Sequence, residues 1–285
     1  DRLVVAMTYY NFRSVFAWNI FLYTGFVLVV LAYLWVMMTP GMHGYVRSVG
    51  VFALIWRLIL TSGTGAIFGF LVARDAYDTA ILAPLFILMS LSLGMAVFWV
   101  TILTMCRWNG YRVSSELSEK LRRLSALFIL GVLYLVALHH LTNLYMAHHL
   151  GIERFLLVDG GVYPWLFWLG FVLCGGIVPV WWFLDRRFCA PAWSLTAALM
   201  VIVGGLCHLY VIIIGAQAYP LRLVSGYRVD SGHYDGEITH YLPTLPELAL
   251  GIGGVSLALL LTVLAVRALP FLPTVTGPLP GSNRA

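Results

Sequence analysis

The sequence predicts an all-α integral membrane protein with seven transmembrane helices. Three observations carry that class. Of the 285 residues, 61% are hydrophobic and only 10% are charged, and the mean hydropathy is +0.91, which leaves too few charges to cover a water-soluble surface. Apolar stretches recur that are long enough to cross ~30 Å of bilayer hydrocarbon. The connections between them are short enough to leave no room for a second, soluble domain.

The spans fall, in chain order, at residues 15–39, 48–73, 79–106, 124–147, 162–184, 192–217 and 246–269. Between them lie Pro40-Gly41, a polar stretch from Arg107 to Arg123, a turn from Glu153 to Gly161, and Asp185-Arg186-Arg187. The longest connection runs from Ala218 to Pro243. Tyr9, Tyr10, Tyr163, Trp165, Trp181 and Trp182 gather near span ends, as interfacial aromatic belts do.

The net charge of +5 does not point to nucleic acid, because the cations stand in short loops between apolar runs and read as topology signals. The loops after spans one, three and five and the C-terminal tail hold Arg47, Arg107, Arg112, Lys120, Arg122, Arg123, Arg186, Arg187, Arg267 and Arg284. The opposite set holds Arg2, Arg13, Arg74, Arg154, Arg222 and Arg228. The bias puts the 218–243 loop outside and the C-terminus in the cytoplasm. Cys106, Cys174, Cys189 and Cys207 lack any spacing that would hold zinc, an iron–sulfur cluster or a redox disulfide, and read as small buried apolar residues. No metal site is expected. The chain opens on Asp1 rather than Met, and we read it as starting inside a longer protein.

Polar side chains at membrane depth cost a few kcal/mol each unless they meet protein, water or a ligand, so they carry the functional information. Arg57 lies inside the second span and is followed by Thr61, Ser62 and Thr64 within the run SGTGAIFGF. Small residues there allow either close helix packing or a slot beside Gly63 and Gly65 for a flat ring. Arg74, Asp75 and Tyr77 close the outer end, where an acid and a phenol can exchange protons with a quinone headgroup.

The fourth span carries His139, His140 and Asn143, and the sixth carries His208 at a matching depth, about sixteen residues from its start. Three readings stay open for these histidines: hydrogen-bonded structural groups, a proton path or quinone-proximal group, and a pair of axial ligands for haem b. His148 and His149 are expected at the solvated outer surface. Glu247 opens the seventh span and serves either as a helix cap or as a carboxylate on a proton path. His233, Tyr234, Asp235, Glu237 and His240 in the outer loop are expected to face solvent or a partner protein.

Four stretches together resemble the NrfD/PsrC family of quinone-interacting membrane subunits of bacterial and archaeal respiratory complexes. They are FRSVFAWNIFLYTG; SGTGAIFGFLVARDAYDTAILAPLFILMS; HLTNLYMAHHLGIERFL with YPWLFWLGFVLCGGIVP; and VIIIGAQAYPL with YLPTLPE and ALPFLP. The similarity runs nearest to the P subunits of the Dsr membrane complex of sulfur metabolism. The resemblance implies two four-helix bundles, with residues 1–285 forming one such transmembrane domain that lacks its first three helices. Asp1-Arg2-Leu3 then matches the end of the segment that follows the third family span.

The resemblance further implies menaquinone or ubiquinone as substrate, no cofactor inside the chain, and a ferredoxin-like iron–sulfur subunit docked on the periplasmic face within a larger redox complex. Thr64, Phe68 and Tyr77 are the quinone-pocket positions, Asp75 and Tyr77 the proton-handling pair, and Arg57, His139, His208 and Glu247 the proton path. The expected function is a quinone oxidoreductase subunit of the cytoplasmic membrane, tied to sulfite or sulfur metabolism. A transporter or proton-conducting protein without a redox role is the alternative, to be recognised by substrate flux without redox partners. A structural anchor that binds no quinone is a third.

Overall fold

Ser14 starts the first helix by accepting a hydrogen bond from the Phe16 amide at 3.3 Å, which satisfies one of the donors that a helix N-terminus leaves open. The computed structural model describes residues 9–108, 113–220, 238, 241 and 243–268. Within them the chain is all-helical and has no strand. The helices are α1 (Val15–Met38), α2 (Val46–Gly69), α3 (Leu82–Trp108), α4 (Ser115–Tyr145), the short α5 (Leu150–Arg154), α6 (Val162–Leu184), α7 (Pro191–Ala218) and α8 (Leu245–Ala268). Seven of them are long and apolar enough to cross a membrane. This is a multi-pass integral membrane protein, as the hydropathy pattern predicts.

One boundary differs by a full two turns. The fourth helix begins at Ser115 rather than at residue 124, because the segment expected as a polar connection is itself a good helix former. The Leu117 amide donates to the Ser114 hydroxyl at 3.3 Å, Glu116 lies in the first turn, and Glu116 pairs with Lys120 at 2.6 Å. Glu119 pairs with Arg123 in the next register. These (i, i+4) acid-to-base pairs support the helix outside the apolar span.

The described residues form two compact units. The first takes the chain up to Leu93 together with Phe128–Pro164, and the second takes Gly94–Leu127, Trp165–Pro220 and the segment that carries α8. In the first unit, Leu60, Tyr77, Leu82, Leu85, Ile152, Phe155 and Leu156 are buried. Gly65 lets α2 meet the start of α3: a Cβ there would lie 2.6 Å from the Leu82 carbonyl oxygen and 2.7 Å from the Ala83 Cα. A Cβ on Gly63 would meet Asn19 Oδ1 and Leu22 Cδ1, each at 3.2 Å. Both glycines therefore let neighbouring groups approach the α2 backbone closely.

In the second unit, Trp99 is buried and donates from Nε1 to the Ser125 hydroxyl at 3.1 Å. Helices α6 and α7 touch backbone to backbone, since a Cβ on Gly204 would lie 2.3 Å from the Gly175 Cα. Both helices contain wide π-helical stretches, Leu166–Ile177 and Val211–Gly215. Pro179 follows the first stretch and has no N–H to return to it.

Arg122, a loop cation by its sequence context, is instead buried. Its guanidinium donates to the carbonyls of Trp182 and Asp185, both at 2.8 Å, and to Cys189 Sγ at 2.7 Å. It closes the end of α6, where terminal carbonyls lack intrahelical donors. Cys189 is exposed rather than buried, whereas Cys106 is buried as expected.

Candidate functional site

The strongest concentration of buried polar groups belongs to the first unit, where the end of α2, the turn after it, the end of α4 and α5 come together. The Thr64 hydroxyl donates to Leu60 O at 3.0 Å on its own helix, and it also meets Asn19 Nδ2 and the Tyr23 hydroxyl, each at 3.4 Å. One turn later Phe68 packs against Tyr77, with ring centroids 5.2 Å apart, and stacks on Phe86 at 5.3 Å. Tyr77 is only 3% exposed. The residues between are wound into tight turns, the Arg74 amide donating to Leu71 O at 3.2 Å and the Tyr77 amide to Arg74 O at 2.9 Å. Phe68 and Tyr77 are thus in contact, and Thr64 precedes Phe68 on the same helix.

Asp75 is half-buried on this turn. Its backbone carbonyl, rather than its carboxylate, accepts a hydrogen bond from His149 Nδ1. The sequence places His149 at the solvated surface together with His148, and the structure corrects that. His148 is exposed, but His149 is buried because α5 folds back and carries it against the Asp75 turn.

Glu153 is the residue that sequence reading misses. It is 1% exposed, and both carboxylate oxygens are taken: His140 Nδ1 donates to Oε2 at 2.6 Å and Asn143 Nδ2 donates to Oε1 at 2.8 Å. The other N–H of Asn143 donates to His139 Nε2 at 3.3 Å. His139 is buried, and its Nδ1 has no hydrogen-bond partner among the described residues. Burial by itself pushes the Glu153 carboxyl up, but the hydrogen bond and charge of His140, with the Asn143 amide behind them, outweigh it and hold the group below the ordinary carboxylate range. A usable signal is present in the His139-His140-x-x-Asn143 spacing, which puts His139 and Asn143 on one helix face. Nothing in the pattern shows that a glutamate after the chain reversal meets that face.

The remaining predicted positions stand elsewhere. Arg57 is exposed on α2, with Nη2 3.4 Å from the Ser90 hydroxyl and its guanidinium 5.3 Å over the Phe26 ring. His208 belongs to the second unit, 2% exposed and stacked on Phe171 at 4.0 Å. Glu247 is exposed and accepts from the Thr244 amide at 2.7 Å and the Tyr241 hydroxyl at 2.8 Å. That is the geometry of a helix cap three residues into α8, the first of the two roles expected for it. The Tyr241 phenol is in turn pushed up by its hydrogen bond to that carboxylate. His233, Tyr234, Asp235, Glu237 and His240 lie outside the described residues, as do most of the 218–243 loop and Asp1-Arg2-Leu3. Among the described residues no group of histidine, cysteine and carboxylate side chains could hold a metal ion.

A multi-pass helical membrane protein with an aromatic-lined turn and a buried His–Glu cluster in one helical unit defines the class. Within it, the chain belongs to the NrfD polysulphide reductase family, whose model matches residues 1–220. It is similar to the Hdr-like menaquinol oxidoreductase integral membrane subunit of Archaeoglobus fulgidus, 30% identical over 281 residues that cover 94% of this chain and 68% of that protein. It is also similar to a putative membrane subunit of dimethyl sulfoxide reductase from Halobacterium salinarum, 29% identical over 77% of this chain and 52% of that protein. A selenate reductase subunit of Mesobacillus selenatarsenatis is 22% identical over 95% of this chain and 71% of that protein.

Proposed function

We propose that this chain is the membrane subunit of a quinone-linked oxidoreductase complex, which binds menaquinol or a related quinone beside Thr64, Phe68 and Tyr77. The observation that carries the reading is the Tyr77 phenol, buried against Phe68 on the turn that also bears Asp75. A phenol and a carboxylate on one turn, beside an aromatic wall, suit a ring that gains or loses protons as it gains or loses electrons. Family membership and a relative named as a menaquinol oxidoreductase subunit support the same reading.

Electrons leave to, or arrive from, a ferredoxin-like iron–sulfur subunit on the periplasmic face. The complex sits in the cytoplasmic membrane of a bacterium or archaeon with the C-terminus inside, and serves sulfite or sulfur metabolism as the Dsr P-subunit branch does. Arg57, His139 and His208 provide polar positions for proton movement through the hydrocarbon. Substituting Tyr77→Phe tests the pocket: quinol-analogue affinity and turnover both fall if the phenol touches the ring, whereas unchanged affinity and turnover remove Tyr77 from the site.

A further inference from the structure

Helix α2 carries Arg57 to the middle of its span without an anion to match it. Arg57 is the twelfth of the 24 residues of α2, at least about 16 Å from either end of the helix. Its guanidinium stands 5.3 Å over the ring of Phe26, itself the twelfth of the 24 residues of α1. On the other side Nη2 lies 3.4 Å from the Ser90 hydroxyl of α3. The side chain is thus held sideways by its neighbours at mid-depth, and does not stretch along the helix toward a headgroup. Even so, Arg57 is exposed, and so are Leu54, Ile55 and Ile59 around it on α2.

That arrangement is incomplete in hydrocarbon. A guanidinium keeps its charge at any working pH, so it cannot meet oil by losing its proton. An exposed cation at the centre of a span is costly unless an opposite charge or water reaches it. Among the described residues Arg57 has one hydroxyl at 3.4 Å and one ring face, which answer only part of its fork of N–H donors. The described chain has no acid at that depth. Every described carboxylate stands in a connection, in α5, or in the first two turns of α4 or α8. Lipid phosphates lie at the bilayer surface, about 15 Å from the midplane. A carboxylate carried on another membrane-spanning helix meets each requirement: opposite charge, the right depth, a planar pair of oxygens that matches the fork, and an apolar stem to cover Leu54, Ile55 and Ile59.

We propose that the exposed face of α2 around Arg57 is the docking surface for a membrane-spanning helix of another subunit, which presents an aspartate or glutamate to the Arg57 guanidinium. The proposal rests on the reading of this chain as one membrane subunit of a larger complex. It does not depend on which residues touch the quinone. The pair forms at mid-depth, so it fixes the register of the two helices as well as holding them together.

The test uses the native complex, purified in mild detergent through a tag on this chain. Leu54, one turn before Arg57 on the same face, is replaced by the photo-crosslinker benzoylphenylalanine. Illumination is expected to join the chain to a second membrane-spanning subunit, on a helix with an aspartate or glutamate near its middle. Arg57→Gln is expected to lower both that crosslink and the yield of the captured subunit at least about tenfold, and Arg57→Lys to recover most of the loss. Arg57→Glu combined with arginine in place of the mapped carboxylate is expected to restore what either single reversal loses, which misfolding of the variants does not produce. Crosslinks only to lipid, to this chain itself or to a second copy of it overturn the proposal, as does full co-purification of the subunits with Arg57→Gln. In those cases a native complex that still binds and oxidises menadiol leaves the quinone reading intact. A native complex in which the crosslink forms but menadiol is neither bound nor oxidised keeps the docking face and overturns the quinone reading.

Discussion

Glu153 shows how one buried side chain can carry a stability signature of its own. Its carboxyl is held below the ordinary value of 4.5, so the charged form is the one that the folded state prefers. A group depressed in this way contributes stability that is complete above its unfolded value and is lost as pH falls through the folded one. The detergent-purified protein is therefore expected to melt at progressively lower temperature below about pH 4.5, a loss that Glu153→Gln does not share. Parallel melting curves of the two proteins across roughly pH 3 to 7 check this, and identical acid dependence removes Glu153 as its source. Arg122 makes the same point at the other end of a helix: a cation that looks like a loop charge in the sequence is spent on two backbone carbonyls and a thiol.

At the scale of elements, the pair α6 and α7 depends on the absence of side chains. A methyl on Gly204 would lie 2.3 Å from the Gly175 Cα, against backbone that cannot rotate out of its way. Gly204→Ala is expected to force the helices apart at a cost of about 1–3 kcal/mol, read as a lower melting temperature. Gly253→Ala on α8, where nothing lies within 4 Å of the added carbon, serves as the control and is expected to leave it unchanged. The helix ends are partly legible: Ser14 at the start of α1 and Thr244 with Glu247 at the start of α8 carry the residue types that helix starts demand. The early start of α4 is not legible from hydropathy, which sees the lipid-crossing part of a helix and not its polar extension into water.

For the whole molecule, the cation bias of the loops argues for a cytoplasmic C-terminus. Periplasm-dependent and cytoplasm-dependent reporters fused after Ala285 are expected to be active only on the cytoplasmic side, and the reverse pattern would invert every assignment of an outer face. Class, number of spans and family were all determined by the sequence alone, because crossing ~30 Å of hydrocarbon imposes length and apolarity on each helix independently of its neighbours. Contact between Phe68 and Tyr77 was approachable from the same stretch, since a short run of chain separates the helix from the residue that packs on it. The meeting of Glu153 with His140 and Asn143, the burial of His149 and the backbone contact of Gly175 with Gly204 were decided only by the tertiary structure. Each joins residues across a chain reversal, and the direction in which a reversal returns is set by packing, for which hydrophobic periodicity carries no code.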